Sequence, residues 1–266
     1  MSSQYSVRAT PEAREAGAVA LAVASLPESF GPAVGENPAD VVVIAGQPGW
    51  TGEAATAVTA GARGVVVVNP AAENTDSLQA AAQQAGAAVV LDQRWASNPA
   101  IPAAEDAVRS MVGRAAILDS VATAPVGTDT GDLLADHLAA VVRVTGPLGK
   151  LRVLARGPHG YTSTAVLANG APVALQGIAS GARPAGVTIT LLTDDGGVSV
   201  ALPEPHAAWP AMVKVTGPQG ELLLPTIYES AHRATWRRLK EHLDAGTKPS
   251  DLQRFAATSE SLATLT

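Results

Sequence analysis

Apolar residues in the first half of the chain fall in short unbroken runs set between alanine-rich stretches. Val19 to Ala24, Val41 to Ala45, Gly64 to Val68 and Ala87 to Leu91 read as strands, each too short for a helix of ordinary length. Gly52 to Ala60 and Asn74 to Ala85 are good helix formers, with Asn74 or Thr75 placed to cap the second and Asp76 in its first turn. Strands alternating with helices predict a parallel sheet joined by right-handed crossovers.

The pattern changes near residue 117. Gly131 to Val144 has helical periodicity. Beyond Gly146-Pro147-Leu148-Gly149 come seven strand-like runs, from Leu151 to Ala155 through Glu221 to Leu224, separated by Gly and Pro. Asn169-Gly170 and Asp195-Gly196 are hairpin signals, and no helical stretch separates these runs, so the second sheet should be antiparallel or mixed. A helix from about Glu229 to Ala245 follows, stopped by Gly246, and then a shorter one after Pro249, with Ser250 as its cap. The expected layout is an α/β domain with a parallel sheet over residues 1–117 and an α+β domain over residues 118–266.

Composition supports buried sheets: 47% of residues are hydrophobic and only 3% aromatic, so the core must be built from Ala, Val and Leu. The net charge of −6 argues against nucleic acid as a partner. The densest basic cluster (His232, Arg233, Arg237, Arg238 and Lys240) alternates with Glu229 and Glu241 and reads as a solvated helix face. With no cysteine, thiolate chemistry is excluded. His206 and His232 lack partners at metal-ligand spacing, so no metal site is expected. No apolar stretch approaches the roughly 20 residues of a membrane span, and no basic-then-apolar leader opens the chain. The expectation is a soluble cytoplasmic protein.

Ala39 to Pro70 (ADVVVIAGQPGWTGEAATAVTAGARGVVVVNP) carries a strand, a turn, a helix and a second strand ending in proline. This block resembles the glucose–fructose oxidoreductase and inositol dehydrogenase (Gfo/Idh/MocA) family, with Glu53 and Pro70 falling on that family's Glu and Pro. Further pieces follow in the same order. Gln93, Arg94, Asn98 and Pro99 are similar to an Asn-Arg…Asn-Pro segment, and Gly131 to Gly146 to the helix bearing the substrate-facing His. Thr164 to Gly170 is similar to a strand–turn–strand, and Thr235 to Lys248 to the last helix. The resemblance implies a Rossmann-like parallel-sheet domain followed by an α+β domain with an open, mostly antiparallel sheet, together with NAD or NADP, a sugar or polyol substrate, catalysis by His137, and pairing through the outer face of the second sheet.

The departures bear on the same chemistry. Tyr5 to Gly17 holds no glycine before Gly17, where the family has its diphosphate-binding G-x-G-x-x-G turn. The second strand ends in Ser25-Leu26 and lacks the ribose-binding acid. Glu-Lys-Pro has become Val68-Asn69-Pro70, and Asn69 can donate a hydrogen bond but cannot carry a proton at neutral pH.

Several positions are candidates. His137 is either a general base or a structural helix histidine beside Asp132 or Asp136. The turn Gly46-Gln47-Pro48-Gly49-Trp50, with Pro70, either holds a cofactor, Trp50 covering a flat ring, or is an ordinary strand-to-helix turn. Arg94 either binds phosphate or carboxylate or forms an ion pair with Asp92 or Glu105. His159 and Tyr161 sit in a turn that faces a cleft or solvent. Two functions remain open: an NAD(P)-dependent oxidoreductase on CH–OH groups, or a catalytically silent relative serving as a small-molecule binding module or as the partner subunit of an active paralogue. A homodimer or a hetero-oligomer is expected.

Overall fold

A computed structural model describes residues 4–35, 38–206 and 209–263. The chain forms two compact units, one of residues 1–93 with 231–259, the other of residues 94–230 with 260–266. A single cut near residue 117 does not separate them.

The first unit holds β1 (Tyr5–Ala9), α1 (Pro11–Ala16), α2 (Val19–Ala24), β2 (Phe30–Pro32), β3 (Val41–Ala45), α3 (Trp50–Thr59), β4 (Gly64–Val68), α4 (Asp76–Ala85) and β5 (Ala88–Asp92). Its five strands are all parallel, in the order β2-β1-β3-β4-β5. Val19 to Ala24 is therefore a helix and not the expected second strand. Its apolar residues permit either reading, but three of the six are Ala, the best helix former. The edge beside β1 goes to Phe30-Gly31-Pro32, where Pro32 leaves no donor to extend the sheet.

The valine run of β4 is buried throughout and feeds both faces of this sheet. Val66 and Val68 pack with Tyr5, Phe30 and Trp236 on one side. Val65 and Val67 pack with Trp50, Leu78 and Phe255 on the other. Trp236 and Phe255 come from α7 (Ala231–Ala245) and α8 (Asp251–Ala263), the two helices expected in the second domain. Trp236 meets Phe30 edge-on at 5.0 Å, and Phe255 meets Trp50 edge-on at 5.7 Å.

The same helices seal β5, whose open edge would otherwise present unpaired backbone. The carboxylate of Asp251 accepts from the Leu91 amide at 2.9 Å and pairs with Arg238 at 2.5 Å, while Arg238 also donates to the Leu91 carbonyl at 3.4 Å. His232, expected on a solvated face, is 4% exposed and bonds through Nδ1 to Asp92 Oδ2 at 2.5 Å. The Thr235 hydroxyl donates to the other carboxylate oxygen at 3.3 Å.

The second unit holds α5 (Ile101–Arg109), a 3-10 turn (Val112–Arg114), β6 (Ile117–Ala124), α6 (Thr130–Thr145), β7 (Gly149–Gly157), β8 (Gly160–Val166), β9 (Pro172–Ala179), β10 (Gly186–Leu192), β11 (Gly197–Pro203), β12 (Met212–Gly217) and β13 (Gly220–Leu223). Its eight strands run β13-β12-β11-β10-β6-β9-β8-β7, antiparallel except for β6 beside β9. This is the expected open, mostly antiparallel sheet. Sequence pattern alone missed β6, whose Asp119, Ser120 and Thr123 break the apolar run. It also missed α5, which follows Pro99 and covers the same face as α6. Among the described residues no helix is long and apolar enough to cross a membrane.

The Asp92–His232 pair gives a direct test. Burial opposes the imidazolium, but the Asp92 hydrogen bond and charge together outweigh it, so the pKa lies above the ordinary histidine value. The native state thus holds more protons than the unfolded chain, and this contribution is full below the unfolded pKa and fades as pH rises through the folded one. His232→Ala should cost about 3 kcal/mol in urea unfolding below pH ~6, with a smaller deficit at alkaline pH. An unchanged midpoint would show that the pair does not fasten α7.

Candidate functional site

In parallel α/β sheets ligands collect at the carboxyl ends of the strands. Here β1 runs into Thr10, whose amide donates to the Val43 carbonyl at 3.0 Å. The Thr10 hydroxyl accepts from the Ala13 amide at 3.2 Å, and Pro11 at the first helical position has no N–H. The helix that follows has six residues. A diphosphate turn needs glycine for close backbone approach and free amides at a long helix start, and this turn has neither.

The turns after β3 and β4 are fastened to each other. The Gly46 amide donates to the Val68 carbonyl and the Ala71 amide to the Gly46 carbonyl, each at 2.7 Å. A Cβ on Gly46 would lie 2.3 Å from Cα of Pro70, so only glycine fits. Asn69 has φ 50°, a left-handed backbone that Asn tolerates better than Lys does. It is exposed, and its side chain donates to the Ala16 carbonyl at 3.3 Å. Gln47, Pro48 and Gly49 are exposed, and Gly49 has φ 95°.

The start of α3 is already occupied. The Glu73 carboxylate accepts from the Gly49 amide, from the Thr51 amide at 3.3 Å and from the Thr51 hydroxyl at 2.9 Å. A carboxylate here satisfies orphan amides and meets the positive end of the helix dipole, the two features that would draw a phosphate. Trp50, expected to cover a flat ring, is fully buried, donates through Nε1 to the Ala71 carbonyl at 2.8 Å and packs on Phe255.

In the second unit His137 is also fully buried. Its Nε2 lies 2.6 Å from the Ser120 hydroxyl, which donates to the Thr188 carbonyl at 2.7 Å. Ser120 has one proton, so it accepts from Nε2–H. Nδ1 is then the acceptor for the Tyr161 hydroxyl at 2.7 Å. The chain Tyr161→His137→Ser120→Thr188 is closed and uses every polar atom of the imidazole. Burial pushes the His137 pKa down to about 3, which holds the ring neutral. The partners are Tyr161 and Ser120 instead of the expected Asp132 or Asp136.

Arg94 lies over the Trp95 ring at 4.8 Å, and its charge partner is Glu204 at 3.8 Å, in place of the expected Asp92 or Glu105. His159 is exposed at the turn between β7 and β8. Thus Gly46, Gln47, Pro48, Gly49, Trp50, Asn69 and Pro70 converge at one sheet edge of the first unit, while Arg94 and His137 belong to the second. Sequence reasoning missed Glu73 and Ser120 because their contacts join residues 24 and 17 positions apart and leave no local signature.

No protein-family model matches this sequence, and no curated protein matches it. Solved structures do. A 3-ketoreductase from Actinomadura kijaniata, crystallised with NADP and TDP-benzene, superposes with TM-score 0.70 at 12% identity, over 98% of this chain and 88% of that one. A UDP-N-acetylglucosamine 3-dehydrogenase from Acidithiobacillus ferrooxidans gives TM-score 0.68 at 16% identity, over 97% and 87%. A D-galactose-1-dehydrogenase from Rhizobium etli gives 0.70 at 18%, over 99% and 94%. At these identities the likeness establishes a common fold.

The closed chain around His137 fixes its titration. The unfolded histidine takes up a proton near pH ~6.5 and the native one only near pH 3, so its contribution is present above the unfolded value and is lost as pH falls. The His137 imidazole resonances should stay constant between about pH 5 and 8 in NMR, and Ser120→Ala should cost roughly 1–3 kcal/mol. A midpoint near neutrality would remove the closed chain.

Proposed function

We propose that this chain is a relative of the Gfo/Idh/MocA oxidoreductases that has given up hydride transfer and serves as a small-molecule binding module or as the partner subunit of an active paralogue. The observation that carries this reading is Glu73. A carboxylate of the chain itself sits on the α3 amides, and a phosphate brought there would meet a like charge and helix amides that are already bonded. The Thr10–Pro11 turn supplies no second cradle. In this reading the residues present do not fit a dinucleotide diphosphate at either place. The neutral, fully bonded His137 is likewise unsuited to accept a proton from a substrate hydroxyl.

The second reading keeps NAD(P)-dependent oxidation of a sugar, polyol or related hydroxyl compound. Its support is the shared fold with dehydrogenases and ketoreductases, one of them solved with NADP. Titrating NADH and NADPH into the protein while following cofactor fluorescence separates the two. No saturation up to millimolar cofactor is expected, whereas a dissociation constant below about 100 μM, within the ordinary range of Michaelis constants, would restore the oxidoreductase.

We also infer that copies of the chain pair through the face of the second sheet opposite α5 and α6. Ile117, Ile178, Leu192 and Met212 on that face are at least 40% exposed, set among small and polar residues such as Thr162, Thr188 and Ser199. Sedimentation velocity at micromolar concentration should give a dimer, and Ile178→Lys with Leu192→Lys should shift it to monomer. A monomeric parent protein would overturn the pairing.

A further inference from the structure

We draw no further inference here: the strongest candidate, the cleft of about 290 Å3 between α4 and α8 lined by Gln79, Gln83, Val89, Lys248, Leu252 and Gln253, carries nothing because its Lys248 ammonium already donates to the Gln83 carbonyl at 2.9 Å and nothing in the structure shows what covers it.

Discussion

The last strand of the parallel sheet cannot be left open, and closing it organises the first unit. β5 ends beside Asp92, and the amide and carbonyl of Leu91 would face solvent if the chain stopped at the second unit. Asp251 and Arg238 take that amide and carbonyl, while His232 holds Asp92 from the same side. Each of these contacts is a charge placed in a low-dielectric setting, where an unpaired partner is far more costly than in water. Trp236 and Phe255 then fill the two faces of the sheet. Polar closure sets where the helices dock, and aromatic burial supplies the affinity.

The same tendency of the chain to satisfy its own groups governs the carboxyl edge. Three features that would receive a nucleotide are met internally. Thr10 caps the first helix, Glu73 caps α3, and Trp50 is locked between Ala71 and Phe255. His137 follows the same rule in the second unit, with its ring nitrogens held by Tyr161 and Ser120. A fold shared with dehydrogenases can therefore hold its backbone geometry while the groups at its carboxyl edge bond to one another.

Both sheet types could be read from the apolar runs, because unbroken valine marks a strand buried on two faces and spaced turn residues mark antiparallel neighbours. Val19 to Ala24 could not, since six residues rich in Ala and Val fit either period and only the competing edge strand at Phe30 decides. β6 escaped notice because Ser120 lies on its buried side, where it serves His137 from seventeen positions away. The placement of α7 and α8 was hidden for a related reason. Their tethers, Asp92 to His232 and Leu91 to Asp251, span 140 and 160 positions, and nothing local announces them.

That return of the chain has a consequence for biosynthesis. The first unit is interrupted in sequence, its final helices being made only after residue 230. A ribosome delivers most of the second unit as one continuous stretch, and domains fold as units while synthesis proceeds. The amino-terminal sheet, translated earliest, waits longest for its covering helices, its valine strands meanwhile resembling the exposed edges that chaperones bind. The first strands to emerge thus belong to a unit that closes only when nearly the whole chain has been made.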